Sequence, residues 1–153
     1  MDFTIELKTK IHKACIAFVD KRINNFESTY NAAVDSGNSD SKSSVGDKHE
    51  TGKAMAQLEQ EKAAHQLVEA KELKNSLEKI SIGSKHQIIA LGTLINTNNG
   101  LFYIAIGIGK LLVENESVVV ISPQSPLGQN LMGQLKGKTI CYNNLNYSIR
   151  NIV

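Results

Sequence analysis

"DSGNSDSKSS", residues 35–44, contains no apolar side chain. It stands between two stretches whose apolar residues recur at helical spacing. Ser, Asp and Asn divert backbone hydrogen bonds into turns, and Gly lacks the restraint a helix needs. The segment therefore reads as a solvated loop, and that reading decides the fold. Two long helices joined by a polar loop fold back as an antiparallel hairpin.

Upstream, Ile16, Val19, Ile23, Phe26, Tyr30 and Ala33 alternate three and four apart, the seam of a coiled coil. Toward the N-terminus the set broadens to Leu7, Ile11, Cys15 and Phe18, so that end is expected to pack against more than one neighbour. Downstream, a second helix is expected from about Asp47 to Ile80. Its stripe is Ala56, Ala63, Ala70, Leu73, Leu77 and Ile80, small near the loop and large at the far end. The pair describes a slender arm, held weakly at its tip and firmly at its root. At about 1.5 Å per residue, roughly 30 residues reach about 45 Å.

After "SIGSK" (81–85) the texture changes. "HQIIALGTLINTNNGLFYIAIGIGKLL" carries β-branched runs around Asn98-Asn99-Gly100, a hairpin signal, and "ESVVVIS" is a further strand. In "SPLGQNLMG", Ser125 suits an N-cap, Pro126 the first helical position and Gly133 the C-terminal cap. "KTICYN" and "YSIRNIV" are strands joined by a tight polar turn. The expected class is α+β: residues 1–80 an antiparallel coiled-coil arm with its tip loop at about 35–46, and residues 81–153 a small antiparallel β-sheet domain with one short helix.

Lys plus Arg number 17 and Asp plus Glu 15, a net charge of +2, too little for a dedicated nucleic-acid binder. Lys8, Lys10, Lys13, Lys21 and Arg22 on the first helix either touch nucleic acid or form a solvated face. "MDFTIELKTK" has no basic stretch leading into an apolar run, as a signal peptide would. No run approaches the ~20 apolar residues that span a bilayer. Cys15 and Cys141 fall in different expected elements and read as reduced, buried thiols, which implies a cytoplasmic location.

Four candidate motifs fail. "MGQLKGKT" has three residues between Gly133 and Gly137 where a phosphate-binding loop needs four, and a strand follows instead of a helix. "GIGK" (107–110) opens no helix. Neither Cys is expected to be an activated nucleophile, and His49 has no second His at ligand spacing.

"GDKHE", residues 46–50, remains. Asp47 at the N-cap and Glu50 three residues on form an acidic capping box at the positive end of a helix dipole. They also form a pair of carboxylates at the end of a projection, suited to holding a metal in another molecule's site.

The order of "GDKHE" at the start of a second long helix, then "ISPQSPLGQNLMGQLKGK" in a small C-terminal domain, resembles the bacterial Gre-type transcription elongation factors. The resemblance spans nearly the whole chain. It implies an FKBP-like C-terminal domain docked on the rim of the RNA polymerase secondary channel, with Ser125, Pro126, Leu127 and Gly128 as docking candidates, and a helical arm inserted into the channel. It also implies that Asp47 and Glu50 help to hold a second Mg²⁺ of the polymerase active site and promote cleavage of backtracked RNA. Such a factor is a monomer, binds no cofactor alone, is not itself an enzyme, and meets RNA and DNA only within the elongation complex. Thr51-Gly52-Lys53-Ala54 departs from the family's usual continuation. Other readings are a channel-binding regulator that stimulates no cleavage, a partner-binding coiled coil, and a thiol enzyme.

Overall fold

A computed structural model describes residues 3–41 and 46–153, with side chains described for 3–37 and 51–153. In chain order the elements are α1 (Ile5–Ser41), α2 (Gly46–Glu78), β1 (Leu94–Thr97), β2 (Gly100–Ile104), β3 (Gly109–Val113), β4 (Glu116–Ile121), α3 (Pro126–Leu131), β5 (Thr139–Tyr142) and β6 (Leu145–Ile152). The class is α+β. The chain forms two units, one from Met1–Ala17 with Asn75–Val153 and one from Phe18–Lys74.

The first unit is built on a six-stranded sheet in the order β3-β4-β2-β1-β6-β5. Register sorts its side chains. Ile95 lies opposite Phe102, and Phe102 opposite Val119. This face packs with Tyr147 and Ile149 against Leu131 of α3 and Ile89. Leu94, Tyr103 and Val120 stand in register on the other face, all fully buried. There the start of α1 covers them: His12 bonds to the Tyr103 hydroxyl, and Leu7, Ile11 and Cys15 are buried. Leu77, at the end of α2, is equally buried. Each such Leu or Ile contributes about 1.5–3 kcal/mol by leaving water. The broadened apolar set of the sequence thus has a sheet to meet.

The turns follow their residue chemistry. Thr97 pairs with Gly100 around Asn98-Asn99. Glu114-Asn115 and Asn143-Asn144 have φ of 50° and 67°, and 52° and 64°, the left-handed pairs that two-residue hairpins require. Ser125 caps α3 by accepting from the Gly128 N–H, Pro126 opens it, and Gly133 leaves it at φ +81°.

The sheet corrects one expectation. It is mixed rather than antiparallel, because β2 pairs with β4 in parallel. Val118-Val119-Val120 has no polar side chain for solvent on either face, so it suits an interior strand. On β3, Lys110 and Leu112 are exposed, as an edge allows. The tight turn at Glu114-Asn115 returns the chain so that β4 lies between β3 and β2.

In the second unit, Val19, Ile23 and Ala33 of α1 and Ala56, Ala63 and Ala70 of α2 are buried, matching the expected seam and stripe. Asp20 pairs with Lys74 at 2.7 Å, Glu27 with Lys71 at 3.9 Å, and Gln60 donates to the Tyr30 hydroxyl at 3.3 Å. Residue numbers fall along α2 as they rise along α1.

The expected loop is also corrected, since α1 continues through Ser41 and covers residues 35–41. Once a helix is nucleated, each further residue adds a hydrogen bond, which offsets the weak propensity of Ser, Asn and Asp. Gly37 meets Ala56: a Cβ there would stand 3.7 Å from the Ala56 Cβ. Two small residues at that level keep the helices close.

Candidate functional site

α2 begins at Gly46, so Asp47 lies inside its first turn and not at the expected N-cap, and Glu50 opens the second turn. Their side chains lie outside the described residues, as do any bonds of the expected capping box. Two carboxylates are a donor set suited to Mg²⁺, which takes oxygen ligands and is commonly held by one or two acids together with phosphates. The set is too small to close a coordination sphere alone. Among the described residues, no three His, Cys, Asp or Glu side chains gather where they would hold a metal.

The four docking candidates stand together at the start of α3, and most of them serve α3 itself. The Ser125 hydroxyl donates to the Ser122 carbonyl at 2.7 Å and accepts from the Gly128 N–H at 3.1 Å. Leu127 packs against the core cluster and Gly128 is buried. A Cβ on Gly128 would fall 2.1 Å from the Ser122 carbonyl oxygen, so only glycine fits. Pro126 is the exposed member.

A third constellation escaped the sequence reading. Lys8 and His12, one turn apart on α1, are buried on the face that meets the sheet. Lys8 Nζ donates to the Ser84 carbonyl at 2.7 Å. His12 Nδ1 lies 2.8 Å from the Tyr103 hydroxyl. In the neutral imidazole this nitrogen either accepts from the phenol or donates to it, according to the tautomer. His86 Nδ1 bonds to the Thr93 hydroxyl, which also accepts from the Ala90 N–H at 2.9 Å.

Burial governs the chemistry of this cluster. It lowers the Lys8 and His12 pKa values, the His12 shift being opposed by the nearby Leu77 backbone. His86 is lowered by burial and then by the Lys8 charge. The Cys15 thiol is pushed up to about 12, and the Tyr103 phenol is also raised, by burial first. A thiol so disposed is no nucleophile at neutral pH. The arrangement fastens α1 to the sheet through polar bonds, and a recess of about 370 Å³ lined by Thr4, Lys85, His86 and Ile152 opens beside it. The sequence signal was that Lys8 and His12 border Leu7, Ile11 and Cys15 on one helix face. Lys8 therefore leaves the group of solvated or nucleic-acid-facing cations. Cys141, expected to be buried, is exposed.

Comparison of the chain with known protein families, curated proteins and solved structures found no match. No helix among the described residues is long and apolar enough to cross a membrane.

Proposed function

We propose that the protein is a Gre-like elongation factor. In this reading α1 and α2 form an antiparallel coiled-coil arm that enters the secondary channel of RNA polymerase, and the sheet domain, FKBP-like in plan, docks on the channel rim. The observation that carries the reading is where α2 begins. Gly46, Asp47 and Glu50 lie among the first five residues of a 33-residue helix whose later residues pair with those of a 37-residue partner. Such a rod delivers charge into a narrow place.

Asp47 and Glu50 then offer oxygen ligands, directly or through water, to a second Mg²⁺ at the polymerase active site. When bound, that ion activates a water and stabilises the leaving oxygen of the transcript. The hydrolytic centre belongs to the polymerase, so this chain is an effector and not an enzyme. It works as a monomer in the cytoplasm, where the polymerase is.

A second reading is favoured by Thr51-Gly52-Lys53-Ala54 and by Asp35, exposed near the end of α1. Glycine in the second turn weakens the helix by about 1 kcal/mol, and further acids alter the charge carried into the channel. A channel-binding regulator without cleavage stimulation fits those features.

The test is binding to the host RNA polymerase, then transcript cleavage in stalled, backtracked complexes with wild type and Asp47→Asn/Glu50→Gln. Wild-type cleavage that the double variant loses is the expected result. Binding with an intact transcript selects the regulator. Equal cleavage by both proteins removes the two acids from the mechanism, and failure of the wild type to bind ends the Gre-like reading.

A further inference from the structure

Ile88 and Leu135 face each other in an isolated antiparallel bridge. It is held by the Ile89 N–H donating to the Gln134 carbonyl at 2.9 Å and the Gly133 N–H donating to the Ile89 carbonyl at 2.8 Å. Residues directly opposed in such a pair share one side of the ribbon, and successive residues alternate. Ile89 enters the core at 1% exposure, so Ile88 and Leu135 face water, 53% and 45% exposed. Two large aliphatic side chains stand side by side on the surface.

The surroundings are positive. Lys85 lies three residues before Ile88, and Lys136 and Lys138 follow Leu135. The Gly137 N–H donates to the Ile149 carbonyl and the Ile149 N–H to the Lys138 carbonyl, both at 2.8 Å, which brings Arg150 alongside. The sequence has no Asp or Glu in 79–113 or 117–153. Among the described residues, none of these four cations takes part in an ion pair.

We infer that this surface holds a segment of a partner protein in which acidic residues flank one or two apolar ones. An apolar centre with a charged rim is the usual anatomy of a protein-binding patch, and the rim's sign selects the partner. A second copy of this chain would set like charges against each other. Nucleic acid would satisfy the cations but gain nothing from Ile88 and Leu135, which offer a base no aromatic ring. The inference rests on the proposed function in taking RNA polymerase as the partner.

Immobilised host core RNA polymerase is titrated with wild type, with Ile88→Ser/Leu135→Ser and with Lys136→Glu/Lys138→Glu across a salt series. Each double variant is expected to bind about tenfold more weakly or worse. The charge-reversed protein is also expected to lose most of the salt dependence. Thermal melts identify any variant that unfolds, and the exposed lysine pair keeps the test open if the serine pair does. Wild-type affinity in a folded variant of either pair overturns the inference. So does a loss that appears only in binding to a short single-stranded RNA, or only in a wild-type dimer seen by sedimentation. If the wild type itself fails to bind polymerase, the proposed function falls, and this partner assignment with it.

Discussion

The His12 imidazole meets the Tyr103 phenol edge to face, Nδ1 and hydroxyl 2.8 Å apart, with the rings at 89°. His12 is 4% exposed and Tyr103 not at all. Lys8 lies one turn before His12, and no described carboxylate bonds to either. A proton added to this imidazole would be a second cation in a place that already holds one.

Acid should therefore loosen this unit. The folded-state pKa values of His12 and His86 are lowered, so near and below the unfolded value of about 6.5 the unfolded chain binds more protons. The histidine contribution is fully present above that pH and is lost as pH falls through it. The melting temperature should drop between pH 7 and pH 5, and His12→Gln should flatten the drop. Thermal melts by circular dichroism check this, and an unchanged slope in the variant assigns the effect elsewhere.

Lys8→Met should stabilise the protein at neutral pH. Burial lowers the Lys8 pKa, which means that the charged form is disfavoured in the folded state until pH rises toward 10.5. Replacing a buried charge by an apolar group of similar length is often neutral or stabilising by about 1 kcal/mol or more. Urea denaturation at pH 7 should show a higher midpoint, with the gain shrinking at pH 10. A lower midpoint would mean that the bond to the Ser84 carbonyl outweighs desolvation.

The two thiols should separate cleanly. Cys15 is fully buried with its pKa pushed up to about 12, whereas Cys141 is exposed on β5. A thiol reagent at pH 8 should label one cysteine in the native protein and both in denaturant, and Cys141→Ser should abolish the native reaction.

Gly128→Ala should destabilise by about 3 kcal/mol, the upper end for overpacking a tight site. The added Cβ meets the Ser122 carbonyl oxygen at 2.1 Å. That oxygen also accepts from the Ser125 hydroxyl and the Ser125 N–H, so it cannot withdraw without breaking the cap of α3. Equilibrium unfolding measures the loss, and a change below about 1 kcal/mol would show that the segment repacks freely.

What the sequence made legible follows physical range. Val19, Ile23, Ala56, Ala63, Ala70 and Leu77 could be read because burial on a helix leaves a periodic trace. Ser125, Pro126, Gly133 and Asn98-Asn99-Gly100 could be read because caps and turns are chosen by local backbone chemistry. The helix through Ser41 was hidden, since propensity is a weak prior that contacts such as Gly37 with Ala56 override. The parallel pairing of β2 with β4 depends on a non-local choice that strand pattern alone leaves open. Lys8 and His12 look like a solvated face until a sheet is placed against them. For Asp47 and Glu50 one spacing serves both a cap and a ligand pair, so their chemistry has two readings.

The discontinuous first unit has a consequence for how the chain is made. Its opening segment, through Ala17, emerges from the ribosome before Asn75–Val153, the rest of that unit. These residues thus wait for a partner synthesised much later, a long-range closure of the kind that slows folding. Until Tyr103 arrives, His12 has no phenol to meet, and the nascent helix waits with its apolar side uncovered.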